Sequence, residues 1–407
     1  MSLAYGRPLR AMPGPSVIPD RVLNAMHREA PSIYEGEIVE VTASISADLC
    51  RVAKTDGAGV AMYIANGHGA WEAAIANTIA PGEKILVLVT GRFGAGWGEM
   101  ARAMGAEVDM MDFGTAGPAD ADAVAARLKG GGYKALLTVQ TDTATSVNND
   151  IKALGAAVRE ASPDTLFMVD CIACLGCERF EMDAWGVDVM VAGCQKGLMT
   201  PPGMAFVFAN ARAQGVRKSL TRVSPYFDWA PRLDPAHFYQ NFFGTAPTHH
   251  LYGLRTALDM LFEEGLENVF RRHDAMAACV WAAGEVWAKT GAIRLNIPDR
   301  AARSVAVTTF LTGADDATRL RTWCEAEAGV TLGLGIGLSA GQIAPGDSAF
   351  RIGHMGHLNP PMLLGVLGTV DAGLKALGIA HGGGALRCAS EAIAAAASEP
   401  VPVAQAV

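Results

Sequence analysis

Between residues 84 and 210 the chain alternates short apolar runs with longer segments whose apolar residues recur every three or four positions. The runs are KILVLV (84 to 89), ALLTVQ (135 to 140), TLFMVD (165 to 170), DVMVAG (188 to 193) and MAFVFAN (204 to 210). Each is brief and rich in Val, Leu or Phe, as in strands covered on both faces. Between them GEMARAMGAEV, DADAVAARLKG and NNDIKALGAAVREA carry helical spacing. This alternation predicts an α/β fold, a mostly parallel sheet with helices on both sides. The last three runs follow one another closely, so part of the sheet is expected to be mixed.

From about residue 248 the pattern changes to long helical segments, LYGLRTALDMLFEEGL and NVFRRHDAMAACVWAAGEVWAK. A strand-like SVAVTTFL, a helix at DATRLRTWCEAEA, a glycine-rich TLGLGIGLSAG, a strand at FRIGHMG and a helix from PPMLLGVLGTVDAGLKAL follow. They predict a smaller C-terminal α/β domain. The expected division is 1–265 for an N-terminal arm and the large domain and 266–407 for the small domain, whose alanine-rich tail is expected to fray.

At 407 residues, half of them apolar, the chain can bury a large core. A net charge of -8 with scattered basic residues argues against a nucleic-acid surface and for small-molecule chemistry. No apolar stretch is long enough for a membrane span, and MSLAYGRPLR lacks the apolar core of a signal peptide, so the expected compartment is the cytoplasm. The eight cysteines read as reduced thiols. CIACLGC (171 to 177) has the spacing of iron-sulfur ligands. It directly follows a buried-type strand and lacks a fourth cysteine three or four residues on, so it reads as small buried thiols and no metal is assigned.

In a doubly wound sheet, ligands sit beyond the carboxyl ends of the strands. ANGHGAWEAA (65 to 74) opens a helix with a glycine turn, where backbone N–H groups near Gly67, His68 and Gly69 suit a phosphate. TGRFGAGW (90 to 97) puts Phe93 after a strand, where its face can cover a flat ring. Asp170 closes an otherwise apolar strand, and a carboxylate there must be solvated, capping or paired. Lys196, in VAGCQKGLMTPPG, follows the next strand, where partial burial would lower its pKa and free the neutral amine. A lysine, an aspartate, an aromatic and a phosphate-ready helix are the parts that pyridoxal 5'-phosphate requires. Arg351, flanked by Phe350 and Ile352, adds a guanidinium fork suited to an α-carboxylate. GLSAG (337 to 341) and the overlapping GIGLSA fit nucleophile-elbow and dinucleotide motifs, but QIAPGDSAF after them is turn chemistry where a helix is needed.

PGPSVIPDRV, GHGAWEAAIANTIAPGEK, TDTATSV, MVDCIACLG, AGCQKGLMTPPG, LFEEGLENVFRRH and FRIGHMGHLN together resemble class V aminotransferases of the serine-glyoxylate and alanine-glyoxylate type, from about residue 10 to about 380. The resemblance implies a fold-type-I enzyme and a homodimer with active sites at the subunit interface. By position it implies Lys196 as the Schiff-base lysine, Asp170 as partner of the pyridine nitrogen and Phe93 as the stacking aromatic. Gly67, His68 and Gln195 fall where relatives hold the phosphate, Thr245 where the neighbouring subunit contributes to it, and Thr143 near the phenolic oxygen. Arg351 matches the carboxylate arginine.

Two departures bear on the donor. APSIYEGEI (30 to 38) stands where relatives often have His-Arg-Ser, and TDTATS where they have a glutamate-containing NETATG. RIGHMG also resembles pyridoxamine-pyruvate aminotransferase, but that enzyme's glutamate in the first phosphate loop is replaced by Asn66, which argues against the vitamin as donor. The expected reaction moves the amino group of serine or alanine to glyoxylate or a similar oxo acid; the alternatives are aspartate, or pyridoxamine with pyruvate. A desulfurase or β-lyase needs a mobile loop cysteine, and TLGLGIGLSAGQIAPGD has none.

Overall fold

The computed structural model describes residues 2–313, 315–338 and 348–398. Its strands in chain order are β1 (Leu9–Ala11), β2 (Ala58–Ile64), β3 (Lys84–Val89), β4 (Glu107–Asp112), β5 (Ala135–Val139), the short pair β6 (Thr141–Asp142) and β7 (Val147–Asn148), β8 (Leu166–Asp170), β9 (Val189–Gly193), β10 (Met204–Asn210), β11 (Ile293–Leu295), β12 (Val307–Thr312), β13 (Val330–Leu334) and β14 (Ala349–Gly353). The α-helices are α1 (Asp20–Met26), α2 (Glu37–Val52), α3 (Gly67–Thr78), α4 (Arg92–Ala103), α5 (Ala121–Lys129), α6 (Ile151–Ala161), α7 (Ala211–Ser219), α8 (Ala230–Leu233), α9 (Thr248–Glu264), α10 (Leu266–Trp287), α11 (Asp316–Ala328), α12 (Pro360–Ala376) and α13 (Ala385–Ser398).

Seven strands form the large sheet in the order β2-β10-β9-β8-β5-β3-β4. β10 runs antiparallel to both its neighbours, and the other pairs are parallel, so the sheet is mixed at one place, as the spacing of the runs predicts. The wholly apolar runs are explained by cover on both faces. Ile85 and Val87 of β3 belong to the cluster that holds Trp71 of α3 and Trp97 of α4. Leu86 and Leu88, which point the other way, belong to the cluster with Val124 of α5 and Leu154 and Val158 of α6. The helical reading of GEMARAMGAEV runs too far: Gly105, at φ 99°, ends that segment, and Glu107 and Val108 already belong to β4.

The smaller sheet has the order β1-β13-β14-β12-β11 and shares a core with α10, α11, α12 and α13. β1 comes from the amino-terminal arm and pairs parallel to β13. The alanine-rich stretch after HGGG is helical rather than frayed over Ala385–Ser398, because Ala385 and Ala389 pack into that core. The last nine residues of the tail lie outside the described residues.

Segments of the smaller unit stitch down the turn between β6 and β7. Ser304 N donates to Ser146 O at 3.0 Å, Asn296 Nδ2 to Thr145 O at 2.9 Å and Arg351 Nη1 to Thr143 O at 2.7 Å. This turn carries a predicted site residue, so the seam between the two sheets positions part of the site.

Candidate active site

With β10 reversed, β2, β3, β5, β8 and β9 all run the same way, and their carboxyl ends meet around a cavity of about 240 Å³. Gly67, His68, Phe93, Thr143, Asp170, Gln195 and Lys196 all line it, so seven of the nine residues singled out in the sequence converge on one space. Arg351 is buried one step behind, on Thr143. Thr245 is exposed in the protomer and does not line the cavity.

Asp170 ends β8 and is buried. Its two oxygens are held separately: Ile172 N donates to Oδ1 at 2.7 Å and Trp71 Nε1 to Oδ2 at 2.7 Å. Burial nevertheless pushes its pKa up to about 7 against these donors, with Asp142 raising it further and Lys196 lowering it. Among the described residues no cation lies within salt-bridge distance. A buried carboxylate held by two donors, raised by burial and facing a cavity fits a cationic ring nitrogen, which supplies the missing positive charge.

Lys196 follows β9 in the turn that PPG completes, and its ammonium donates to the carbonyl of Pro13 from the amino-terminal arm. Burial, then the nearby Arg351 charge, lower its pKa to about 8, against Asp170, which raises it. The arm is locked in place: Ser16 N donates to Gln195 O at 2.9 Å and Ser16 Oγ to Lys196 O at 2.7 Å. Gly14, at φ 91°, lies so close to the lysine that a Cβ there would overlap its side chain. The lowered pKa makes the neutral amine accessible near pH 8, as a nucleophile or base needs.

At the other end of the cavity Asn66 caps α3, its carboxamide oxygen accepting from His68 N at 3.1 Å and Gly69 N at 3.3 Å. Two backbone N–H groups that the sequence offers to a phosphate are therefore committed to this cap. The positive end of the helix and the side chain of His68 remain at the cavity. His68 packs on Trp71 with ring centroids 4.6 Å apart.

Arg351 on β14 is buried, and burial holds its pKa down to about 10. Its Nε donates to Leu334 O and its Nη1 to Thr143 O. Two residues that the sequence reading missed organise the site. Trp71 holds Asp170. Asp142 accepts from Phe93 N at 2.8 Å, Gly94 N at 3.3 Å and Ala144 N at 3.0 Å, so one carboxylate ties the Phe93 loop to the Thr143 turn. The signal for Asp142 is its place in TDTATS, where relatives carry a glutamate; GHGAWEAA offers no signal separating Trp71 from a core aromatic.

Cys171, Cys174 and Cys177 are buried, and burial pushes each thiol up. Cys324 is buried in α11, away from any loop. Residue 339, the serine of GLSAG, lies outside the described residues. No helix among the described residues is long and apolar enough to cross a membrane.

A profile of the aminotransferase class-V family matches residues 14–344. The serine–glyoxylate aminotransferase of Arabidopsis thaliana is 32% identical over 380 residues, covering 92% of each chain. The L-aspartate–glyoxylate aminotransferase of Paracoccus denitrificans is 31% identical over 374 residues, 90% of this chain and 91% of its own. Among solved structures, the ureidoglycine–glyoxylate aminotransferase of Bacillus subtilis superposes with a TM-score of 0.85 at 27% identity, covering 96% of this chain and 99% of that one.

Proposed function

The chain belongs to the class-V aminotransferases, enzymes that work with pyridoxal 5'-phosphate, and from that premise we propose that it moves the amino group of serine or alanine to glyoxylate. The observation that carries this reading is the convergence of Lys196, Asp170 and, behind Thr143, a single buried guanidinium on one small cavity. The three relatives described above differ in the donor that their names give and agree on glyoxylate, which supports it as acceptor.

Pyridoxal 5'-phosphate, when bound, supplies an electron sink for the charge left at the substrate Cα after deprotonation. Lys196 Nζ would hold the cofactor covalently, and its free amine would take the proton from the donor Cα and, in the second half-reaction, return one to the Cα of the oxo acid. Asp170, as a carboxylate, would hold the ring nitrogen in its protonated form. Phe93 would cover the ring, Thr143 would serve its phenolic oxygen, and Gly67, His68 and Gln195 would hold the phosphate. Thr245, exposed in the protomer, completes that phosphate site from a second copy, so the working form is a homodimer, read as cytoplasmic. Arg351 turns its remaining donors to the substrate carboxylate. The division into units 1–265 and 266–407 is retained, with β1 lending its edge to the smaller sheet.

An aspartate donor needs a second cation. Of the arginines that the sequence offers at 222, 232 and 255, Arg232 is buried and donates to the carbonyls of Met62, Asn241 and Tyr226. Arg255 is paired with Asp48 and Asp259. Arg222 is exposed and does not line the cavity. Two are committed elsewhere and the third is off the cavity wall, which favours a monocarboxylic donor. Single half-reactions with serine, alanine, aspartate and pyridoxamine, followed by loss of the cofactor's visible band, test this. Serine or alanine should convert the enzyme and glyoxylate should restore the band; faster conversion by aspartate or pyridoxamine overturns the donor reading. Borohydride reduction followed by peptide mapping should label Lys196.

A further inference from the structure

Trp71 is a buried aromatic on the first turns of α3 that packs in the core on one side and lines the cavity on the other. Its indole stacks on Trp97 with centroids 5.9 Å apart and planes 15° from parallel, and Phe93 meets it edge-on at 6.3 Å. What sets it apart is its N–H. Trp97 and Trp229 are as deeply buried, yet among the described residues their indole nitrogens find no partner. The Trp71 nitrogen lies 2.7 Å from Asp170 Oδ2. The fold therefore tolerates unpaired indole donors, and packing alone does not require this bond.

We propose that Trp71 is a positioning residue for the reaction: it fixes the Asp170 carboxylate and keeps it ionised, and it ties that carboxylate to the helix whose amino terminus faces the cofactor phosphate. The proposal rests on the reading of Asp170 as the ring-nitrogen partner. The carboxylate has four lone-pair sites. Ile172 N takes one on Oδ1 and Trp71 Nε1 one on Oδ2, so neither oxygen can rotate without breaking a bond. A proton on Oδ2 directed at the indole N–H would set donor against donor. Both effects favour the ionised form in a place where burial favours the neutral one.

The helix adds the second link. Trp71 lies four residues after Gly67, about one turn or 6 Å along the axis. Gly67 and His68 line the phosphate end of the cavity and Asp170 lines it too. A rigid turn of α3 thus spans the two ends of the cofactor, with the Asn66 cap fixing one and the Trp71 nitrogen the other.

The test compares Trp71→Phe, which removes the donor and keeps an aromatic ring, with Trp97→Phe, which removes the same volume from the same stack where the nitrogen has no partner. Holoenzyme half-reactions with serine or alanine are followed from pH 5.5 to 9, and cofactor affinity is measured by spectral titration of the resolved enzyme. A carboxylate that loses one donor becomes more basic, so the acid limb of the rate profile should move up by about one pH unit in Trp71→Phe, with about a tenfold loss at the low-pH end. Cofactor affinity should weaken by about tenfold, and Trp97→Phe should show neither change. Should Trp71→Phe fail to fold, benzothienylalanine incorporated at 71 replaces the N–H by sulfur in the same shape and should give the same shift. A profile and an affinity equal to those of Trp97→Phe overturn the proposal. If Asp170→Asn is itself fully active, the ring-nitrogen reading fails instead, so the two failures are distinguishable.

Discussion

Arg351, proposed above to bind the substrate carboxylate, has little conformational freedom. Its Nε and Nη1 donate to the carbonyls of Leu334 and Thr143, which fixes the plane of the fork and leaves the other donors for a carboxylate. Lysine has the charge but a single donor centre, and it cannot hold both carbonyls and a substrate. Arg351→Lys should lower kcat/KM for serine or alanine by about 1–3 kcal/mol, or about 5- to 160-fold, the range of a charge-assisted bidentate contact. Steady-state kinetics check it; unchanged kcat/KM with every carboxylate donor removes Arg351 from substrate binding. At this scale the sequence was informative where residue chemistry is unusual for its place: a lysine and an aspartate at apolar strand ends, and an arginine between Phe350 and Ile352. It was silent about Trp71, because a tryptophan in a helix is what any core contains. Its place on the cavity wall and the direction of its N–H distinguish it.

The elements most legible in the sequence are those buried on both sides, since two-faced burial demands an unbroken apolar run. β3, β5, β8, β9 and β10 all fall on such runs. β4 is one of the two edge strands of the large sheet, is only partly buried, and carries Glu107, Asp109 and Asp112 among its apolar residues, so it has no such run. β1 is three residues long and finds its partner more than 300 positions away, where no local pattern can report it. The turn between β6 and β7 is an element of the same kind, specified by contacts from elsewhere. Asp142 gathers three backbone N–H groups there while buried, and burial raises its pKa. Asp142→Asn puts an amide where acceptors are needed and leaves at least one N–H unpaired. It should cost about 1.5–3 kcal/mol in stability, the range for a hydrogen bond to a charged group. It should also weaken cofactor binding, because Phe93 and Thr143 both lose their anchor. Denaturant midpoints of the resolved enzyme, together with cofactor titration, measure the two effects; a variant with wild-type stability and affinity would show that the turn is held by the seam contacts alone.

At the scale of the whole molecule, the part of the chain that builds the smaller sheet is tied together behind the site by buried polar contacts that composition cannot reveal. Two histidines are central to them, with all their partners in that part of the chain. His273 of α10 donates from Nδ1 to Val269 O at 2.7 Å and accepts from Gly356 N at Nε2 at 3.0 Å. His354 donates from Nδ1 to Val305 O and accepts from Thr308 Oγ1 at Nε2, both at 2.8 Å. Each ring is thus fixed in its neutral form. Gly356 packs beside the Lys196 backbone, so these bonds reach the site from behind. Burial holds His273 down to about 3 and His354 to about 4. In the unfolded chain both imidazoles take up protons near pH 6.5. Between those values the unfolded state binds more protons than the folded one, so the stability these groups contribute is complete above pH 6.5 and is lost as the pH falls toward 4. The slope is about 1.4 kcal/mol per pH unit for each histidine over that window. Asp170, raised by burial to about 7, takes up a proton in the folded chain over the same window and opposes one histidine's slope, and the raised Asp142 and Glu178 carboxyls act in the same sense, so the histidine contribution is read as a difference between variants in the urea midpoints of the resolved enzyme. Glutamine at 354 keeps one donor and one acceptor but cannot titrate. His354→Gln should lower stability at pH 7.5 and yet reduce the stability lost on acidification between pH 6.5 and 5 by about 1.4 kcal/mol per pH unit relative to the wild-type chain. A pH dependence equal to that of the wild-type chain would place that proton uptake elsewhere, and His354 would then not be part of what acid opens.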